Sequence, residues 1–261
     1  MTGFLLRKTA YDLWDNMFRI VLVNLGFIVL LVIPAYLPEL LGRKLFNSDV
    51  IVVVVRAAGI LCCSVYLSTA AFSIKTISDY GSFGFGDFFC NLKQAWPAGL
   101  VAGLLFFGCL SVALIAIPFY MSMDSPVGLL LAALIFWALI FAVLSFQFFF
   151  AVRARLDTKL LKVFKKCILL FVDNPGMAIF SLLHNTAMLI VSLLLAFLFP
   201  GPAGILLYLD EALRLRIMKY DWLEVNPDAN RRKIPWDELL MEEREKTGTR
   251  TLKNFIFPWK D

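Results

Sequence analysis

The chain has 261 residues and a net charge of +5, with 60% apolar and only 17% charged residues, and its mean hydropathy is +0.78. This composition lies outside the range of soluble domains and inside that of multi-span membrane proteins. The positive excess sits entirely in residues 1–221, because the tail from Trp222 to Asp261 is neutral. A basic surface beside a bilayer sets topology and attracts lipid, so nucleic-acid binding is not implied.

The first stretch, Phe4 to Trp14, mixes aromatic and aliphatic residues with Arg and Lys at helical spacing, the pattern of a helix lying in a membrane interface. It has no short apolar core followed by a small-residue cleavage site, so no removable signal peptide is read and insertion is expected through the first span. Five spans of ample length follow: Met17 to Tyr36, Ala57 to Ile74, Pro97 to Tyr120, Val127 to Val152 and Gly176 to Phe199. A sixth, weaker segment from Ala203 to Met218 is interrupted by Asp210, Glu211, Arg214 and Arg216.

Charge asymmetry argues for counting the sixth. Arg7, Lys8 and Arg19 precede span one, Lys75 and Lys93 lie between spans two and three, and six Lys and Arg residues from Arg153 to Lys166 lie between spans four and five. The opposite loops hold Arg43 and Lys44, then Asp124, then the uncharged Pro200-Gly201-Pro202. By the positive-inside rule this predicts six spans with both termini cytoplasmic.

An internal repeat points the same way. Each unit begins with an amphipathic stretch (Phe4 to Trp14, Phe88 to Trp96, Leu160 to Phe171), rises through a span closed by proline (Pro34, Pro118, Pro200), and returns to a basic residue and Asp (Lys75 to Asp79, Arg153 to Asp157, Arg216 to Asp221). The fold expected is all-α: a six-span helical bundle of three repeated hairpins over about 4–79, 87–157 and 160–221, each preceded by an interfacial amphipathic helix. A cytoplasmic tail spans residues 222–261. It has a turn at Asn226-Pro227, a basic knot Arg231-Arg232-Lys233, a helix from Trp236 to Lys246, and an aromatic end carrying Phe255, Phe257 and Trp259. That end is too short to cross a bilayer and too apolar for water, so the tail, with Trp236, is expected to dock on lipid, on its own bundle or on a partner.

Candidate functional residues are few. Ionisable groups at membrane depth are costly and usually face a bundle interior or a wet cavity, which singles out Asp210 and Glu211. If the sixth span starts at Ala203, Asp210 lies about 10 Å below the outer boundary. Arg214, one turn on, would neutralise Asp210; the alternatives are ion or substrate handling, or simple exposure. Arg56 either bridges to the Asp210 level or snorkels at the outer interface. Asn24, Ser68, Thr69, Gln147, His184 and Asn185 form a softer polar packing layer, of a kind that hydrogen-bonds helix to helix. Gly99 and Gly103 permit close helix packing, within the bundle or between copies.

His184 is the only histidine, and Cys62, Cys63, Cys90, Cys109 and Cys167 lack metal or disulfide spacing, so no metal site and no cofactor is expected. Gly84-Phe85-Gly86-Asp87 matches the letters of an intramembrane protease motif, but Asp87 sits in a glycine-rich loop where capping of the next helix is the simpler role. No phosphate-binding loop, zinc-hydrolase or serine-hydrolase motif is present.

The order Ala10-Tyr11-Asp12 to Asn16, a long span ending near Pro34, the small-residue return from Tyr66 through Ala71, then Phe88-Phe89 to Lys93-Gln94, resembles the YesL-like family of bacterial integral membrane proteins over roughly residues 5–220. The resemblance implies a bacterial inner-membrane location and an accessory role beside a carbohydrate uptake transporter; it carries over no catalytic residues. The expectation is a non-enzymatic accessory or scaffold protein whose partners are the lipid bilayer and a membrane protein such as a sugar transporter. A small transporter or channel using the charges of the sixth span is the alternative.

Overall fold

The computed structural model describes residues 1–156, 158–230 and 234–248, and among them every regular element is helical. Asp157, the basic knot at 231–233, and Phe255, Phe257 and Trp259 lie outside the described residues.

Helix α1 (Thr2–Asp15) stops at Asn16, whose carboxamide Nδ2 and backbone N–H both bond to the Asp12 carbonyl, and α2 (Met17–Pro38) starts at the next residue. Helix α2 runs on through a π-helical stretch, Glu39–Leu45, and α3 (Asp49–Ser78) returns beside it. Helix α4 (Phe85–Ser111) continues through a π-helical stretch, Val112–Ala116, into α5 (Ile117–Met121). The chain then descends through α6 (Pro126–Phe146) and α7 (Phe149–Arg155). Ser125 caps α6 by accepting the Gly128 N–H at 3.1 Å, with Pro126 in the first turn where its missing N–H costs nothing. Helices α8 (Leu160–Asp173), α9 (Pro175–Leu194) and α10 (Gly201–Val225) follow, then the short α11 (Trp236–Leu239) and α12 (Met241–Thr247).

Five helical stretches are long and apolar enough to cross a bilayer: Met17–Leu45, Asp49–Ser78, Gly86–Met121, Pro126–Arg155 and Pro175–Leu194. Each exposes large apolar side chains, such as Val29, Val53, Leu104, Trp137 and Leu183, on faces with no protein neighbour. Lipid solvates such faces, and water does not. The chain is thus a multi-pass helical membrane protein.

Two expectations about helix ends are corrected. Pro34 and Pro118 do not close their helices, which run on to Leu45 and Met121. The π-helical stretch Val112–Ala116 gives wider geometry where the missing N–H of Pro118 leaves a carbonyl unpaired, whereas Pro34 lies within the regular α-helical part of α2, ahead of the stretch Glu39–Leu45. The stretch from Phe88 to Trp96 is not a separate surface helix; it is the lower part of α4, which passes through Pro97 without a break. Ser68 Oγ on α3 donates to the Ala95 carbonyl there at 2.9 Å.

Close packing depends on missing side chains. A Cβ on Gly99 would collide with the α3 backbone at Val65, one on Gly103 would meet Leu61 and Ser64, and one on Gly59 would lie 2.7 Å from the Pro34 ring. The Gly99 and Gly103 pair therefore serves α3–α4 contact inside the bundle.

Helix α10, interrupted by Asp210, Glu211, Arg214 and Arg216, is not among the membrane-length apolar segments. Helices α9 and α10 pack as an antiparallel hairpin, with Met188 against Gly204, His184 on Tyr208, Met177 on Arg216 and Asn174 on Lys219. The hairpin tip meets Asn24, only seven residues into α2. Asn24 is fully buried. Its Nδ2 donates to the carbonyls of Leu198 (3.0 Å) and Pro200 (2.8 Å), and its Oδ1 accepts the Ala203 N–H (2.9 Å). Ser192 completes the clasp, its Oγ accepting the Gly201 N–H at 2.9 Å. At 1.5 Å per residue, the tip stands about 14 Å above Asp210, whereas α3 rises about 33 Å from Ser78 to Arg56.

Replacing Asn24 by Leu strands three backbone groups of the tip at once. At about 1 kcal/mol or more for each unmade bond, the variant is expected to lose about 3 kcal/mol of stability, seen as a lower detergent midpoint and as protease cleavage between residues 195 and 200.

Candidate functional site: a buried ion network at one end of the bundle

Helices α1, α3, α7, α10 and α12 converge where α3 ends. Asp210 and Glu211 are adjacent on α10, so their side chains diverge by about 100° and reach different neighbours. Asp210 accepts a two-pronged bond from Arg155 at the end of α7, Nε to Oδ1 at 2.8 Å and Nη2 to Oδ2 at 2.5 Å. The same guanidinium reaches Asp79 at 3.0 Å and the Ser78 hydroxyl at 3.0 Å. Glu211 faces α1, where Lys8 lies 3.3 Å away and the Thr9 hydroxyl donates to its second oxygen. Lys8 in turn holds Asp12 at 2.5 Å and the Ser78 carbonyl at 3.1 Å. Lys8, Asp210 and Glu211 are all buried.

Arg214 extends the network to the tail. It donates to the Ser78 carbonyl, lies 3.5 Å from Asp79, and pairs with Glu243 of α12 at 2.6 Å. The Tyr80 hydroxyl donates to Glu243 at 2.8 Å and meets Thr247 at 3.1 Å, while Lys8 and Arg214 both sit over the Tyr80 ring, at 4.3 and 5.3 Å. Trp236, Leu240, Glu243 and Thr247 form one helical stripe. Through it the tail docks on its own bundle, with Leu240 fully buried and Arg216 over the Trp236 ring at 5.9 Å. Both α1 and α12 therefore lie at the same end of the bundle. Below them Asp173 pairs with Lys219 at 3.6 Å, and the Tyr220 hydroxyl, donating at 2.7 Å, holds the Asp173 carboxyl below its usual range.

The sequence reading is revised in three places. Asp210 is neutralised by Arg155 and not by Arg214, because Arg155 brings a planar fork to the carboxylate while Arg214 is drawn away to Asp79 and Glu243. Of the two readings of Arg56, the exposed one holds and the bridge to α10 is not made. Arg56 pairs with Glu39 at 3.3 Å, both half-exposed, at the far end of α3, about 33 Å of helix from Ser78. Asp210 lies at the Ser78 and Asp79 end of α3, opposite the end that carries Arg56 and Glu39. The polar residues form separate contacts, not a layer. Asn24 and Ser68 join helices as described, Gln147 Nε2 donates to Ala178 at 2.9 Å, Thr69 bonds its own helix, His184 stacks on Tyr208 at 3.9 Å, and Asn185 Oδ1 has no hydrogen-bond partner. Asp87 Oδ2 accepts the Gly84 N–H at 2.8 Å, a cap on α4, which starts at Phe85.

Lys8, Thr9, Asp79, Tyr80, Arg155 and Glu243 were missed by sequence reasoning as members of the cluster. One signal was available: the three basic-then-Asp exits all fall at span ends, where their charges can meet.

Among the described residues no group of three or more His, Cys, Asp or Glu is placed to hold a metal ion. Two cavities of about 670 and 530 Å³ lie among α2, α3, α4, α6 and α7, with linings that are almost wholly apolar and contain neither Asp210 nor Glu211. Comparison with protein-family models, curated proteins and solved structures finds no match for the chain.

Two predictions follow from the network. Removing one partner of a buried pair leaves the other charge uncompensated, so Arg155→Ala is expected to cost about 3 kcal/mol or more, and the Arg155→Ala/Asp210→Ala double variant less than the sum of the single ones, measured as a double-mutant cycle on detergent unfolding. Alkaline pH is expected to free α12. Burial would lower the Lys8 pKa, but the Glu211 and Asp12 carboxylates outweigh it and hold it above the ordinary lysine value, while burial pushes Tyr80 up to about 12. A raised folded pKa gives stability that is complete below the unfolded value, about 10 for tyrosine, and is lost as pH climbs through the folded one. Trp236 fluorescence should report release between pH 10 and about 12, and Tyr80→Phe, which keeps the ring but not the titrating hydroxyl, should weaken that dependence.

Proposed function

We propose that the protein is a non-enzymatic accessory or scaffold subunit of a bacterial inner membrane, with its ion network on the cytoplasmic face, working beside a carbohydrate uptake transporter. The observation that carries the non-transport part is the closure of the network. The charges that a conduction path would need are already paired, Asp210 with Arg155, Glu211 with Lys8 and Arg214 with Glu243, and both large cavities are apolar. Membrane-embedded charges that serve transport normally line a wet cavity. The transporter as partner rests on the YesL-like resemblance alone.

The same reading concerns topology. The three units keep one plan, an amphipathic segment, an ascending helix and a returning helix ending in the charged layer, but the third is half as deep. The α9–α10 hairpin enters and leaves by the basic face, and its tip lies near the bilayer middle, where Asn24 and Ser192 satisfy backbone that lipid would leave unpaired. The basic residues before α2, after α7 and along α8 support a cytoplasmic position for that face.

A cysteine at Leu198 in a background lacking native thiols is expected to resist membrane-impermeant maleimide from both sides, whereas one at Asn47 reacts from outside. Reaction of Leu198→Cys from outside would replace the half-depth hairpin with a six-span topology. Purification in mild detergent from a native host should recover the chain with membrane subunits of a sugar uptake system; recovery as a lone monomer, with cells indifferent to deletion of residues 234–261, would overturn the accessory role.

A further inference from the structure

We infer that the groove between α2, α3 and α4 is a binding site for one glycerophospholipid, with an acyl chain in the groove and the phosphate on Arg19. The groove holds about 670 Å³, within the range of small-molecule sites. Its walls are helical stripes. Helix α2 contributes Arg19, Leu22, Val23, Gly26 and Leu30, α3 faces it with residues from Leu61 to Thr69, and the aromatic pair Phe88 and Phe89 of α4 closes the lower side. Gly26 opens the floor, since a Cβ there would collide with the Tyr66 hydroxyl, which is fixed by donating to the Val23 carbonyl at 2.8 Å. From Arg19 to Leu30 the groove follows α2 for about 16 Å, half the roughly 30 Å of bilayer hydrocarbon, which is the depth of one leaflet.

Charge selects the occupant. Among the described residues Arg19 is the only charged one lining the groove, and it stands at the lower mouth, in the first turn of α2, on the side of the ion network. Its guanidinium bonds the neutral Asn16 carboxamide at 3.0 Å, and among the described residues it has no carboxylate partner. The nearest acid in sequence on the groove's α4 wall, Asp87, is turned onto the Gly84 N–H. A cation at headgroup height over an apolar slot one leaflet deep matches a phosphodiester joined to an acyl chain, whereas a partner's transmembrane helix would put apolar side chains against Arg19. The half-open groove lets the second acyl chain remain among bulk lipid.

Native mass spectrometry of the full chain, stripped of annular lipid and titrated with phosphatidylglycerol, tests the site. Wild type should hold one lipid per chain. Arg19→Gln should bind about tenfold more weakly, the loss of one charge-assisted hydrogen-bond pair, and Leu61→Trp, which fills the slot, should abolish the tight adduct. Circular dichroism and melting in the same detergent identify any variant that fails to fold, and for such a variant protection of the groove thiol Cys62 from maleimide by added lipid in otherwise native protein supplies the readout. Equal adducts in all three proteins, a copurified fatty acid in place of phospholipid, a second copy crosslinked through Cys62, or a Cys62 reactivity indifferent to lipid would each overturn the assignment.

Discussion

The pairing of Arg155 with Asp210 fixes the rest of the molecule. A carboxylate on a helix that enters a membrane bundle must be compensated, and the compensating cation here stands at the end of α7, where the descending fourth apolar helix leaves the hydrocarbon. Once that bond is made, the height of α10 is set. Everything N-terminal to Asp210 on α10 rises into the bundle, and Gly201 is only nine positions away. The hairpin therefore stops where it does because its charges are held at the bundle's end. Hydrophobic matching alone would have drawn the apolar α9 further in.

In the half-depth arrangement proposed above, the hairpin turn meets the least polar part of the bilayer, and the clasp formed by Asn24 and Ser192 answers that. A carboxamide carries both donors and an acceptor on one planar group, so one buried residue satisfies two carbonyls and one N–H of a turn that has no regular ladder. A serine or threonine at position 24 would meet only part of this demand. The two ends of α10 are thus secured by different chemistry: neutral hydrogen bonds where the dielectric is lowest, ion pairs where the helix meets the polar face.

Much of this was legible in the sequence, and the limits follow from the kind of signal. Hydropathy located five apolar spans because lipid solvation acts on each segment independently of its neighbours. Proline was read as a stop because the rule describes an isolated α-helix, whereas Pro34 packs at Gly59 of the neighbouring helix and Pro118 follows the π-helical stretch Val112–Ala116. Asp210 and Glu211 stood out, since their cost is local, but their partners did not. Arg155 is 55 residues away and Lys8 more than 200, and an i, i+4 neighbour such as Arg214 looks sufficient until the tertiary competition with Asp79 and Glu243 is seen. Asn24 was singled out for its polarity within an apolar run; that it holds a turn rather than another span depends on the hairpin's depth, which no local pattern records.

The network also explains why the tail belongs to the fold. Glu243 and Tyr80 complete the coordination of Arg214, which otherwise has only the Ser78 carbonyl and the half-exposed Asp79. Arg214 would remain tolerably solvated without α12, since it lies at the polar face and not in hydrocarbon, so the tail's contribution there is modest. Leu240 and Trp236 add apolar burial against α10 and its neighbours. Between Asn226 and Pro235 none of the described residues is buried. Docking by a short stripe on one short helix pair is a reversible kind of contact, because few side chains must be released together. The α9–α10 hairpin, secured at both ends, cannot leave in that way. A partner that approaches the basic face therefore meets one fixed element and one displaceable one, and the displaceable one covers the pairs that hold α10.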